Sequence, residues 1–219
     1  MKFQRKAIIF DLDGVICFTD KYHYLAWKQL ADRLGIYFDE KINDRLRGVS
    51  RMASLEIILE RSDKEYTQEE KEAFAEEKNN TYRELLGRMS PSDLSDEVRE
   101  TLIKLRKRGL LLAIGSSSKN AKFILDRIGL GDFFDAIADG TDITHSKPDP
   151  EVFLCAAKKL GLEPGDCAVV EDAKAGIKAA KAGNMTALAL HGDAERCGIE
   201  DYDLDTFSGL LDVVATTLG

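Results

Sequence analysis

Cysteine is scarce and shows no pattern. Cys17, Cys155, Cys167 and Cys197 form no Cys-x-x-Cys pair and have no histidine at ligand spacing. This excludes a local zinc or dithiol motif and leaves reduced, mostly buried thiols as the reading. Long apolar runs are missing too. No window approaches the roughly 18 apolar residues of a transmembrane helix, and no apolar leader precedes the first strand, so a cytoplasmic protein is expected. A basic surplus is also absent: 31 Lys and Arg against 39 Asp and Glu give a net charge of -8. That balance argues against nucleic-acid or anionic-membrane partners. There is no internal repeat or low-complexity tract. What is present is a 44% hydrophobic chain of 219 residues, long enough for one large domain, or a core domain with a smaller insert, without crosslinks.

The organising stretch is residues 6–13, Lys-Ala-Ile-Ile-Phe-Asp-Leu-Asp, followed by Gly14. Its four apolar residues read as a parallel strand buried on both faces, with Asp11 and Asp13 leaving its carboxyl end. Two carboxylates this close repel and call for a cation, a shared proton or good solvation. A divalent ion such as Mg²⁺ would let one carboxylate act as both ligand and nucleophile. Asp-Gly is also ordinary turn chemistry. This stretch alone does not separate the two readings.

Helical periodicity follows without a strand for about seventy residues. Trp27, Leu30, Ala31 and Leu34 repeat at helical spacing before Gly35, and further helices are expected over 41–46, 52–61 and 68–86. That length exceeds an ordinary crossover, so residues 19–89 read as an inserted helical domain placed as a cap over the acidic pair. The core domain then comprises 1–18 and 90–219. From 98 onward helices and strands alternate, with strands expected over 110–115, 136–138, 168–170 and 185–190 and helices over 98–108, 121–128, 151–160 and 173–182. This predicts an α/β fold with a doubly wound, mainly parallel sheet. The tail after His191 offers only a helical pattern near 207–218.

Polar residues fall where these strands end: Asp11 and Asp13, then Ser116, then Lys147, then Glu171 and Asp172. In a parallel sheet the carboxyl ends share one edge, so these groups can line one pocket. They suit phosphoryl transfer, with Asp11 and Asp172 as Mg²⁺ ligands, Ser116 holding a phosphate at a helix start and Lys147 adding positive charge. Taken singly each has a plainer reading: an N-cap, a loop lysine, or acids complementing a helix dipole. Four coincidences at successive strand ends favour a common site.

These residues resemble the haloacid dehalogenase superfamily of aspartate-nucleophile phosphotransferases. The resemblance rests on Asp11-Leu12-Asp13-Gly14-Val15, Ser116, Lys147-Pro148 and Glu171-Asp172 and spans essentially the whole chain. It implies a Rossmann-like core with an α-helical C1-type cap. Within the superfamily the chain is most similar to the β-phosphoglucomutase family, through Tyr22-His23, Trp27, Arg47-Gly48-Val49-Ser50-Arg51, Lys78-Asn79 and Ser116 to Asn120.

The resemblance implies that Asp11 is the nucleophile and Asp13 the general acid and base, with Ser116 and Lys147 on the transferring phosphoryl group and His23 positioning Asp13. Mg²⁺ is expected on Asp11, the Asp13 carbonyl and Asp172, with Glu171 ordering its waters. Trp27, Arg47, Gly48, Val49, Ser50, Arg51, Lys78, Ser116, Ser117, Ser118, Lys119 and Asn120 are the implied substrate-binding set, with Arg51, Ser118 and Asn120 near the second phosphate. The expected partner is a phosphosugar that a monomer takes from β-glucose 1-phosphate to glucose 6-phosphate through the 1,6-bisphosphate. Two positions depart from the pattern: Arg47 stands where lysine is usual, and Phe18 where many relatives carry an acid. His145 and His191 show no partner pattern and read as structural or surface residues. A sugar-phosphate or phosphoglycolate-type phosphatase would use the same core, and a catalytically silent phosphosugar-binding protein is a third reading.

Overall fold

The computed structural model describes residues 5–46, 50–192 and 194–215. It divides into two compact units, one of residues 1–18 and 90–219 and the other of residues 19–89.

The first unit is built on β1 (Ala7–Phe10), β2 (Leu111–Gly115), β3 (Ala136–Ala138), β4 (Cys167–Glu171), β5 (Thr186–Leu190) and β6 (Tyr202–Leu204). They form one sheet in the order β3-β2-β1-β4-β5-β6, and every pairing is parallel. This is the doubly wound sheet that the alternating pattern predicts. β1, β4 and β5 are buried along their whole length, as expected of strands covered on both faces by crossover helices. Those helices are α5 (Asp96–Lys107), α6 (Ala121–Arg127), α7 (Glu151–Leu160) and α8 (Lys174–Ala182), and a short α9 (Leu210–Ala215) closes the described chain. One core layer packs Val152, Phe153, Ala156 and Ile177 against Ile9, Ala113, Val169 and Ala187 of the sheet.

Two boundaries differ from the sequence reading in ways that matter. Glu171 belongs to β4, paired with Ala189, rather than lying beyond the strand. The tail supplies a sixth strand, β6, in register with β5 through Leu188↔Tyr202 and Leu190↔Leu204. Three residues with an acid at their centre carry too little alternation to be read as a strand. Its position is fixed instead by Asp201, whose carboxylate accepts the Ala187 N–H at 2.8 Å and pairs with Lys181 at 2.7 Å.

The second unit is wholly helical among its described residues: α1 (Asp20–Leu34), α2 (Glu40–Asp44), α3 (Arg51–Leu59) and α4 (Gln68–Leu86). Its core joins Trp27, Leu30, Ile36, Phe38, Ile42, Leu55 and Ile58. The periodic residues of the sequence reading mostly face inward, although Leu34 and Leu59 are only partly buried. A reciprocal capping box starts α4, with the Glu70 N–H donating to Thr67 Oγ1 and the Thr67 N–H donating to Glu70 Oε2.

β2 ends on a glycine because β1 and α7 leave no room there. A Cβ on Gly115 would lie 2.7 Å from the Phe153 ring and 3.0 Å from Ile9 Cγ2, and neither is a free chain end. Gly115→Ala is expected to destabilise the first unit by about 1–3 kcal/mol through overpacking. A lower denaturant midpoint with an unchanged slope would show it.

Candidate active site

In the strand order 3-2-1-4-5-6 the direction of winding reverses between β1 and β4, and parallel sheets bind ligands outside the carboxyl ends of strands at such a point. Asp11 follows β1 there, its N–H donating to Val170 O at 3.0 Å. The chain then turns tightly, Ile16 and Cys17 donating back to Leu12 O and Gly14 N–H to Cys17 O. Gly14 takes φ +87° and lies against Asp172, so a Cβ there would be 2.1 Å from Asp172 Oδ2. The first and fourth strand ends are therefore in contact. On the far side of Asp172, its carbonyl accepts the Ala194 N–H at 3.0 Å.

Lys147 joins these ends. Its ammonium donates to Asp11 Oδ1 and, at 2.5 Å, to Glu171 Oε1, while lying 4.6 Å from the centre of the Phe153 ring. Burial by itself would lower the Lys147 pKa, but the two carboxylates more than reverse this and hold the ammonium above the usual lysine range. Glu171 is fully committed within the protein. Its Oε1 meets Lys147, and its Oε2 accepts the Ala173 N–H at 2.8 Å. A Cβ on Gly176 would fall 1.9 Å from Oε1, so α8 approaches Glu171 through a glycine. Burial pushes the Glu171 carboxyl up, with Lys147 opposing and Asp11 adding to the rise.

Asp172 is pushed up to about 8, first by burial and then by the negative charges of Glu171, Asp11 and Asp13. The same surroundings raise the Cys17 thiol, burial first and then Asp13 and Asp11, which makes it a poor nucleophile.

Residues 116–120 leave β2 beside this set. The Ser116 N–H donates to Ala138 O at 3.1 Å, its hydroxyl oxygen accepts the Ser118 N–H at 3.2 Å, and Ser118 Oγ accepts the Asn120 N–H at 3.2 Å. Ser116 and Asn120 are buried, while Lys119 is exposed. The structure thus gathers Asp11, Lys147 and Glu171 by direct contact, with Asp172 against Gly14 of the turn that also carries Asp13 and Ser116 following the adjacent strand β2.

The remaining candidates lie in the helical unit and form their own cluster. Lys78 on α4 is buried, its Nζ 2.9 Å from His23 Nδ1 and above the Trp27 and Tyr82 rings at 4.8 and 4.6 Å. The His23 ring stacks on Tyr82, whose hydroxyl donates to Thr19 Oγ1 at 3.1 Å. Trp27 is a core residue supporting Lys78. Arg51 donates to Asn79 Oδ1 at 2.8 Å, and burial lowers its pKa. Ser50 is exposed and caps α3 by accepting the Ala53 N–H. Arg47, Gly48 and Val49 lie outside the described residues.

Comparison with known proteins decides the family. The model of the haloacid dehalogenase-like hydrolases matches residues 5–184. The chain belongs to this family. It is 44% identical over 187 residues to a β-phosphoglucomutase of Bacillus subtilis, covering 84% of this chain and 83% of that one. It is also 32% identical over 188 residues to a fructose-1-phosphate phosphatase of Escherichia coli, covering 85% and 97%. A crystal structure of β-phosphoglucomutase from Clostridium difficile superimposes with a TM-score of 0.88 at 38% identity, covering 97% of each chain.

For a member of this family several contributors were not visible as site residues. His145 has a partner after all, since Glu151 Oε2 lies 3.1 Å from its Nδ1 and accepts its N–H at 2.7 Å, with Oε1 accepting the Thr144 N–H. Glu151 thereby ties down the loop that carries Lys147. Asp139 closes the turn after β3 by accepting from Thr141 N–H and Oγ1 at 2.8 and 2.5 Å. A signal for it existed, because Asp139-Gly140 repeats at the end of β3 the Asp-Gly pair found after β1. No helix among the described residues is long and apolar enough to cross a membrane.

His23 carries a pH dependence. Burial first, then the positive charges of Lys78 and Arg51, hold its pKa well below the usual value. The unfolded chain therefore binds more protons than the folded one below about pH 6.5, and stability falls as pH drops through that region. The loss is expected to approach roughly 1.4 kcal/mol per pH unit. Thermal midpoints between pH 7 and 5 should fall more steeply for the wild type than for His23→Gln.

Proposed function

We propose that the chain is a phosphotransferase of the β-phosphoglucomutase type, interconverting β-glucose 1-phosphate and glucose 6-phosphate through β-glucose 1,6-bisphosphate. The observation that carries the phosphotransfer reading is the Lys147 ammonium held between Asp11 and Glu171 at the switch point of the sheet. Held there, the Asp11 carboxylate is oriented to attack phosphorus. The new Asp11 oxygen–phosphorus bond forms as the bond to the departing sugar oxygen breaks, and Asp13 gives that oxygen its proton. In the second half Asp13 takes a proton from the accepting hydroxyl, which attacks the aspartyl phosphate and frees Asp11. Ser116 and Lys147 bind the phosphoryl oxygens throughout.

The donor set suits Mg²⁺. The carboxylates of Asp11, Asp13, Glu171 and Asp172 gather here with the Lys147 ammonium, and burial together with the negative charges of the other three raises Asp172. Among the described residues no group of three or more His, Cys, Asp or Glu side chains forms a metal cage. Mg²⁺ usually takes only one or two carboxylates and keeps several waters. Asp11, Asp172 and the Asp13 carbonyl would hold it, and when bound it would offset charge on the transferring group. Glu171, with both oxygens engaged, is assigned to holding Lys147 and the Ala173 turn. Asp172→Ala should raise the Mg²⁺ concentration needed for half-maximal rate, and chelator should abolish turnover of the wild type.

The mutase is favoured over the phosphatase by the half-buried Arg51 guanidinium fixed by Asn79, a group with the chemistry to bind a second anion, and by the 44% identity to a β-phosphoglucomutase. A guanidinium can clamp the phosphate that is not being transferred. The fructose-1-phosphate phosphatase relative supports hydrolysis as the second reading. Product analysis separates them: with β-glucose 1-phosphate, Mg²⁺ and a trace of bisphosphate, the mutase yields glucose 6-phosphate with little free phosphate. Arg51→Ala should weaken phosphosugar binding by about 1.5–3 kcal/mol and raise the ratio of phosphate release to isomerisation. Stoichiometric phosphate release by the wild type would rule the mutase out.

A further inference from the structure

Several basic residues of the helical unit are held by acids. Lys28 pairs with Asp32, Arg33 with Glu77 at 2.6 Å, Arg45 with Glu60 at 2.8 Å and Lys71 with Glu56 at 2.9 Å. Arg51 is held differently. Its Nη2–H donates at 2.8 Å to Oδ1 of Asn79, a neutral amide, and among the described residues it joins no ion pair. Both residues are half-buried. The bond engages a single N–H of a fork that carries several.

Asn79 follows Lys78 on α4, and the composition of that helix changes there. Residues 68–77 carry five acids, whereas residues 78–83 carry none, so no carboxylate of this stretch compensates Arg51. Lys78 faces the Trp27 and Tyr82 rings and His23. Burial already lowers the Arg51 pKa, and a charge drawn out of water is costly to leave without a counter-charge. An aspartate at position 79 would match asparagine in size and bind the guanidinium more strongly. It would also cancel the charge. The amide keeps the guanidinium in one orientation and leaves its charge for an anion from outside the chain.

We infer that Asn79 is a positioning residue that sets phosphosugar affinity: through one neutral hydrogen bond it aims the Arg51 guanidinium while leaving the charge for the phosphate that is not being transferred. This rests on the phosphotransferase reading above, and Asn79 acts in it through Arg51. Stability and affinity then make opposite demands on position 79. A carboxylate there serves the fold and an amide serves the ligand.

That opposition gives the test. Glucose 6-phosphate is titrated calorimetrically into the full chain in Mg²⁺, and thermal midpoints are taken without it. Asn79→Ala removes the bond and keeps the Arg51 charge, whereas Asn79→Asp keeps a bond and cancels the charge. Both lack the amide nitrogen, so whatever that group contributes is lost equally from the two. Asn79→Asp should melt at or above Asn79→Ala. It should nevertheless bind glucose 6-phosphate more weakly than Asn79→Ala and about tenfold or more below the wild type, the scale of one contact to a charged group. A role in folding alone requires affinity to follow the midpoints, so an aspartate variant that binds as tightly as the alanine variant would overturn the inference. An aspartate variant that melts below the alanine variant would overturn it too, because the carboxylate would then not serve the guanidinium. Should Arg51→Ala weaken glucose 6-phosphate while Asn79→Asp does not, the role of Arg51 stands and that of Asn79 alone falls. Should Arg51→Ala bind as the wild type does, or the wild type not bind at all, both fall.

Discussion

The Lys147 ammonium between Asp11 and Glu171 is the constraint on which the rest of the first unit turns. A sheet of parallel strands delivers its carboxyl ends to one edge, and in this chain two of those ends, β1 and β4, carry acids. Gathering carboxylates in a poorly solvated place is unfavourable unless positive charge is gathered with them. One lysine, mostly buried and supported by the Phe153 ring, supplies it. Removing that ammonium would strand two buried carboxylates, so the loop from β3 to α7 is tied down by Asp139 at one end and Glu151 at the other.

Glycines follow from the same crowding. Where Asp172 meets the turn after β1 the chain has Gly14, where Glu171 meets α8 it has Gly176, and where the β3 turn meets the serine loop it has Gly140. In each case a side chain would occupy the space of a charged or hydrogen-bonding group. A missing Cβ is the simplest way to obtain so close an approach of backbone to these groups.

The helical unit solves a different electrostatic problem. Lys78 is buried facing two aromatic rings and His23, whose pKa burial and the nearby cations hold well below its usual value. Aromatic faces accommodate an ammonium without neutralising it. A buried positive charge is thereby kept in a unit whose residues 19–89 carry 13 Lys and Arg against 15 Asp and Glu.

Much of this was legible in the sequence, and the division between what was and what was not has a physical basis. Strand and helix positions follow from local periodicity, so the run at 7–10, the helix 68–86 and the alternation after 98 could all be read directly, as could the acids, serine and lysine at successive strand ends. The three-residue β6 could not, because its place depends on Asp201 holding the edge of β5. Nor could the pairing of Lys147 with Asp11, 136 residues away, or the engagement of both Glu171 oxygens. The sequence by itself determined which groups arrive at the edge of the sheet, since period and turn chemistry act over a few residues. Only the tertiary structure decided which of them touch, because distances of a few ångströms between side chains depend on strand order and register across the whole sheet.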